Sequence, residues 1–361
     1  MRTILVTGGA GFCGTNAAVR LLKEGYKIIA FDSLVRKGVK SNLLKHINYE
    51  FVKGDVRRLE DLKPIKADAI IHLAANPSVP GSFKDPDYDF LTNALGTFNI
   101  LQYARKQGNI PVIYNSTNKV FSERMNTIEL SEWETRYIFG KPGWINRRKK
   151  IERRMITDFF RGIDEEFPVD GLGFPHSPYG VSKLTGDLLC QEWYHAFKVP
   201  TIVNRCSCMY GKYQQGVEDQ GWVAWFMIAK ILEKPLTIFG DGKQVRDALY
   251  GEDLAELYSI QLKNLLGEQS MAGEVFNVGG GPKNTISLLE AIELIEAIDR
   301  KRHKRYEITH KPWRFADQKV YYSDITKISS LWEPKTSVSN GFNQTYHWIL
   351  DNKKLFEGLY K

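Results

Sequence analysis

Residues 2–14 read Arg2-Thr3-Ile4-Leu5-Val6-Thr7 and then Gly8-Gly9-Ala10-Gly11-Phe12-Cys13-Gly14, a short β-rich run that breaks straight into glycines. Next, Thr15–Glu24 carries helical periodicity that Gly25 ends, and Lys27–Phe31 is a second strand closed by Asp32. Strand, glycine loop, helix, strand and acid in that order form the context a dinucleotide cradle requires. The spacing is Gly8-x-x-Gly11-x-x-Gly14. Glycines let the backbone turn tightly, approach a pyrophosphate and pack the helix on the strand. The helix N-terminus presents free N–H groups and a favourable dipole to phosphates. Gly8, Gly11, Phe12, Cys13 and Gly14 are therefore expected to bind the cofactor. A glycine turn in an ordinary α/β sheet is the bland alternative, and the whole strand–helix–strand order weighs against it.

Asp32 is placed to accept hydrogen bonds from the adenosine ribose hydroxyls, and its charge repels a 2′-phosphate. NAD is thus favoured over NADP, with Arg36 and Lys37 pulling the other way. Further strands end in Gly54-Asp55-Val56 and His72-Leu73-Ala74-Ala75. Carboxyl ends of parallel strands line a ligand crevice, so Asp55 and Val56 are expected at the adenine and Leu73, Ala74 and Ala75 against the cofactor's middle. Asn93 falls on the next expected helix, Asp89–Gln107, and is counted with the cofactor residues. His72 reads as a packed core histidine rather than a catalyst.

Tyr179 and Lys183 stand four positions apart in Tyr179-Gly180-Val181-Ser182-Lys183. On a helix that spacing puts both on one face. A free phenol, with a pKa of about 10, is a poor base at neutral pH, and an ammonium beside it favours the phenolate. Alone the spacing arises often by chance; joined to a nucleotide cradle it points to hydride chemistry on an alcohol.

The bulk composition bounds the rest. The chain has 361 residues, 43% hydrophobic and 25% charged, enough for one large α/β unit or two domains. No apolar run approaches the roughly 20 residues of a membrane span, and the apolar start is too short for a signal peptide. A cytoplasmic protein without a membrane partner is expected. Cys13, Cys190, Cys206 and Cys208 lack a second Cys or His pair at ligand spacing, so they read as buried thiols and no metal is expected. The net charge of +8 suits an anionic small molecule such as a sugar nucleotide and also suits nucleic acid; charge alone does not separate the two.

The strand Pro111–Asn115 leads into Ser116-Thr117-Asn118-Lys119-Val120. Together with the glycine loop, Tyr179 and Lys183, this resembles the extended short-chain dehydrogenase/reductases, the branch that modifies nucleotide-linked sugars. The resemblance spans the chain and implies a Rossmann-type doubly wound parallel sheet with a smaller, interleaved α/β substrate domain. It implies bound NAD, Ser116 beside the cofactor, and a triad: Thr117 on the reacting hydroxyl, Tyr179 as acid/base, Lys183 holding the nicotinamide ribose and tuning Tyr179. Within that family, segments 116–120, Glu134–Tyr137, His176–Gly180, Asp219–Trp222, Gly242–Asp247, Asp317-Gln318 and Ser323–Ile325 resemble the CDP-tyvelose (CDP-paratose) 2-epimerases. Sugar-nucleotide 4,6-dehydratases carry Asp-Glu after the catalytic threonine, because eliminating water needs an extra acid and base. Here those positions are Asn118 and Lys119, which argues against dehydration.

The resemblance also places the substrate end. Arg205, Arg246 and Arg314 are candidates there, the last two for gripping a diphosphate through bidentate guanidinium contacts; for either one a surface ion pair is the competing reading. Asn118, Lys119, His176, Met209, Gln220, Trp222 and Asp317 complete the substrate set, with Trp222 equally compatible with a helix core. Residues 1–205 with about 245–270 are expected to form the NAD domain, and 206–244 with 271–361 the substrate domain. A basic insertion at about 141–165, containing Arg147–Arg154, departs from the family pattern; it fits a solvated helix face, a lid or a contact surface. A homodimer or homotetramer is a family-level expectation. The function expected is epimerisation of a CDP-hexose at C2. The alternatives are a 4-epimerase of UDP- or CDP-hexoses, and a non-catalytic NAD- or RNA-binding protein, against which the intact Thr117, Tyr179 and Lys183 argue.

Overall fold

The computed structural model of the chain describes residues 1–140 and 161–360. Its centre is a parallel sheet of seven strands. Five are labelled here: β1 (Thr3–Thr7), β2 (Lys27–Asp32), β3 (Tyr49–Lys53), β4 (Ala69–His72) and β5 (Val112–Thr117). From one edge the order runs Val275–Val278, Thr201–Cys206, β5, β4, β1, β2, β3. Every pairing in it is parallel. The strand order reverses between β1 and β4, and that switch point opens the crevice in which such folds bind ligands.

Period-2 alternation explains why this sheet is buried on both faces. Ile4 and Val6 pack with Ala17, Ala18 and Leu21 of helix α1 (Phe12–Lys23) and with Leu254, Leu257 and Leu262 of the helix Gly251–Leu265. Between them, Leu5 points the other way, into Ile100, Leu101 and Ala104 of Gly96–Lys106 and Cys190 and Trp193 of Pro178–Phe197. Each fully buried Ile or Leu is worth roughly 1.5–3 kcal/mol, so a one-residue slip of β1 would forfeit both layers.

The remaining elements form a second cluster. Val245–Tyr250 pairs with Cys208–Tyr210, Thr285–Ser287 and Val320–Tyr321. Leu236–Phe239 pairs with Ile308–Lys311. The helices Trp222–Ile231, Leu288–Asp299 and Val338–Asp351 pack a separate core around Met227, Ile228, Ile295 and Phe342. Ser287 and Glu290 start Leu288–Asp299 with a reciprocal capping box.

Two boundaries differ from expectation. Residues 271–361 do not all belong to the smaller unit, because Val275–Val278 adds the edge strand to the large sheet beside Thr201–Cys206. Conversely, Val245–Tyr250 joins the small sheet, while the helix that follows it returns to pack on α1. The expected helix Asp89–Gln107 is also interrupted: Pro86–Phe90 and Gly96–Lys106 are joined by a π-type turn at Leu91–Leu95. Of the basic insertion, Ile163 is built into the fold, buried and bridged to Ser323. Arg147–Arg154 lies outside the described residues. No helix among the described residues is long and apolar enough to cross a membrane.

Candidate active site

A cavity of about 850 Å³ runs along the carboxyl ends of the large sheet and into the smaller unit. At one end lies the glycine loop. Gly8 has φ +66° and a Cβ there would stand 2.8 Å from the Ala74 nitrogen; a Cβ on Gly14 would stand 2.3 Å from the Gly8 oxygen. Only glycines fit this cradle, and Gly11 forms the N-cap of α1 with no side chain in the way. Phe12, Cys13, Asp55, Val56, Leu73, Ala74 and Ala75 line the same space.

Asp32 accepts from the Ala10 amide at 3.1 Å and the Leu34 amide at 2.8 Å, so its carboxylate is held at the rim of the cradle. Burial raises its pKa, and the two backbone donors work against that rise. Arg36 and Lys37 do not face it as free cations: Arg36 donates to the Gln215 carbonyl at 3.0 Å and Lys37 to the Leu359 carbonyl at 2.7 Å. A glycine cradle closed by a carboxylate that has no ion-pair partner among the described residues fits NAD.

Thr117, Tyr179 and Lys183 line the cavity where this cleft meets the smaller unit. Thr117 ends β5, and Tyr179 lies in the first turn of Pro178–Phe197, capped by Ser177. Both side chains line the cavity, with Thr117 a neighbour of the Tyr179 phenol. Burial holds the Tyr179 phenol above its usual value; Thr117 opposes this and the charge of Asp89 adds to it.

Lys183 is one turn along the same helix, but its ammonium is not on the phenol. It donates to the Asn115 carbonyl at 2.5 Å and lies 4.2 Å above the Tyr114 ring. Burial lowers its pKa to about 8. In the ligand-free chain the hydrogen bond of the Lys183 ammonium goes to the end of β5. Ser116 lines the cavity with its hydroxyl committed to Asp187 at 2.7 Å, and His72 is a buried core residue between Thr7 and Thr97.

Beyond Thr117 the wall becomes polar. The amide of Asn118 donates to Gln318 at 3.0 Å. Asp317 receives Lys119 at 3.3 Å and Arg246 at 2.7 Å, so one carboxylate balances two cations. Burial alone would raise Asp317; the two cations outweigh it and hold the carboxyl below its usual range. Arg314 donates to Asp219 at 2.9 Å and lies 3.8 Å above the Phe239 ring. Met209, Gln220 and Trp222 line the same region.

Three expected site residues are elsewhere. Arg205 is buried against Asp187, with bonds of 3.0 and 3.1 Å to its two carboxylate oxygens, because strand alternation turns it towards the helix Pro178–Phe197. Asn93 is buried behind the wall, binding the Asn76 amide at 2.8 Å and Ser182 at 3.0 Å. The π-type turn shifts the helical phase there, and Thr92 faces the cavity instead. His176 meets the Val120 carbonyl at 2.9 Å and ties down the loop before the helix Pro178–Phe197.

Several wall residues carried no clear sequence signal. Gln214 and Gln244 line the cavity, and their Oε1 atoms, like that of Gln220, are buried without a partner among the described residues. Gln244 lies in the Gly242–Asp247 segment and was findable through it. Leu359 and Tyr360 also line the cavity, a placement that nothing local announces.

Comparison with known proteins agrees with this geometry. The chain is 37% identical, over 96% of its length and 98% of the other protein's, to a CDP-paratose 2-epimerase of Salmonella typhi. It is 30% identical, over 98% of both lengths, to a UDP-glucuronate 4-epimerase of Thermodesulfobacterium geofontis. A Bacillus cereus UDP-glucuronic acid 4-epimerase, solved in complex with UDP-glucuronic acid and NAD, superposes with a TM-score of 0.75 at 27% identity, covering 97% of this chain and 99% of that one. Residues 4–140 and 161–279 match the NAD dependent epimerase/dehydratase family, and the chain belongs to that family.

Proposed function

We propose that this protein is an NAD-dependent epimerase that inverts C2 of a CDP-hexose of the paratose/tyvelose type. The observation that carries an epimerase reading is the junction in the cavity. Thr117 and Tyr179 stand together between a glycine cradle and a pocket lined by Lys119, Arg246 and Arg314, and Asn118 and Lys119 occupy the places where dehydration would need carboxyls. The choice of C2 and of CDP rests on the whole-length likeness to the Salmonella enzyme.

NAD bound in the cradle supplies a reversible hydride acceptor, so that one sugar carbon is oxidised and then reduced on its other face with no net redox change. The Thr117 hydroxyl holds the reacting sugar hydroxyl against Tyr179. The Tyr179 oxygen accepts that hydroxyl's proton as the carbon becomes a ketone, and gives the same proton back on reduction. Lys183, charged below its pKa of about 8, supplies the positive potential that a buried phenolate needs. Arg246 and Arg314 anchor the diphosphate while the keto sugar turns, and Trp222 and Gln220 bound the space in which it turns. Holding sugar and phenol together accounts for much of the rate gain.

The test is to incubate CDP-paratose and the CDP-, UDP- and GDP-hexoses with the purified protein in D2O and read the product by NMR. The expected product is inverted at C2 without deuterium there. Deuterium at C2 would sink internal hydride return, and inversion at C4 would replace this reading with the 4-epimerase one. If no sugar nucleotide is converted while NAD binds, the protein is a binding module.

A further inference from the structure

We infer that the segment Lys353–Tyr360 is a latch over the adenosine half of the NAD site, and that Lys37 and Tyr360 are its two fastenings. The inference rests on NAD being the cofactor and adds a reason why it stays bound.

The loop after Asp32 would ordinarily be a free edge of the cradle. Here it is stitched across the cleft. Lys37 donates to the Leu359 carbonyl at 2.7 Å, and Tyr360 donates from its hydroxyl to the Gly216 carbonyl at 2.6 Å. Leu359 and Tyr360 both line the cavity that Asp32 lines. The approach is close: Gly38 has φ +91°, and a Cβ there would lie 2.8 Å from the Leu359 side chain.

The segment has a firm anchor. Phe356 is fully buried, and Tyr360 stacks on it at 6.3 Å with an interplanar angle of 12°. On the cleft's far side, Asn42 donates to the Ala10 carbonyl of the glycine loop at 3.0 Å and to the Tyr213 carbonyl at 3.1 Å. The cradle, the loop after Asp32, residues 213–216 and the latch are thus one hydrogen-bonded ring around the cavity's end. A dinucleotide whose ribose meets Asp32 cannot leave on that side unless the Lys37 and Tyr360 bonds open. An epimerase gains from this, since losing the cofactor midway would strand an oxidised sugar.

The experiment follows NAD itself. Wild type, Lys37→Met, Tyr360→Phe and the double variant are loaded with NAD, chased with excess ADP-ribose, and the NAD released is assayed over time. Two ordinary hydrogen bonds predict release on the order of tenfold faster in the double variant. Both changes keep the bulk of the side chain, and thermal melting checks that the fold is intact. Lys40→Met, in the same loop and exposed, should leave the rate unchanged. Release within twofold of wild type in the double variant overturns the latch, as does Lys40→Met matching Lys37→Met. Wild-type protein that takes up no NAD overturns the cofactor reading and the latch together, whereas NAD held equally by all variants overturns the latch alone.

Discussion

Replacing Tyr179 by Phe removes one oxygen from the centre of the cavity and should separate chemistry from binding. The ring sits in a buried site, so Phe fills the same volume and leaves no cavity. Thr117 lies beside the hydroxyl and has its own contacts: it bonds the Asn118 side chain at 3.4 Å and accepts from the Lys119 amide at 3.3 Å. The structural loss is therefore at most one hydrogen bond, about 1 kcal/mol. The catalytic loss is larger, because general acid–base transfer contributes about 10²–10⁴-fold. The pH dependence should change as well. Burial raises the phenol, so at neutral pH the free protein holds it protonated, and kcat/KM of the wild type should climb with pH as phenolate forms. In Tyr179→Phe that climb should vanish while NAD content stays at the wild-type level. The assay is the initial rate of sugar-nucleotide inversion by NMR between about pH 6 and 9, with NAD content measured on the same samples. Activity within tenfold of wild type, or an unchanged pH slope, would refute Tyr179 as the acid/base.

The other predictions concern the frame of the site. Arg205→Met leaves a buried Asp187 carboxylate unpaired and should cost about 3–5 kcal/mol of stability by urea unfolding, with KM unchanged in whatever protein folds; a KM effect without destabilisation would return Arg205 to the substrate. His72 is buried and burial lowers its pKa from 6.5 to about 3, so its stability contribution is complete above pH 6.5 and is lost as pH falls towards 3, because the unfolded chain protonates first. The drop is up to about 5 kcal/mol at 1.36 kcal/mol per unit, and His72→Leu should flatten acid unfolding over that window; an unchanged acid limb would disprove it. Gly14→Ala puts a methyl 2.3 Å from the Gly8 carbonyl oxygen and should abolish NAD binding by calorimetry; binding within tenfold of wild type would show that the loop yields.

Local patterns in the chain made half of this structure legible. The cradle could be read because a period of 2 in Thr3–Thr7, a period of 3.6 in Phe12–Lys23 and the glycines between them each specify backbone conformation within a few residues. Tyr179 and Lys183 could be put on one helix face by their spacing, whereas Thr117 and the triad as a whole came from the family resemblance. Asn93 could not be placed, since one π-type turn re-phases the helix by tertiary packing that the local period does not carry. The strand Val275–Val278 is a similar case: its short apolar run suits either sheet, and only the partner Thr201–Cys206 decides.

By itself the sequence determined the nucleotide cradle and put Tyr179 and Lys183 on one helix face. Tertiary structure alone decided what each charge answers to. Arg205 was spent on Asp187, Lys183 on the Asn115 carbonyl, Arg246 and Lys119 on Asp317, and Lys37 on the carbonyl of Leu359, 322 residues away along the chain. Side-chain spacing sets which face a group occupies, because the backbone period is local. The partner of a buried charge depends on whichever acceptor folding brings within about 3 Å, and no local period encodes that.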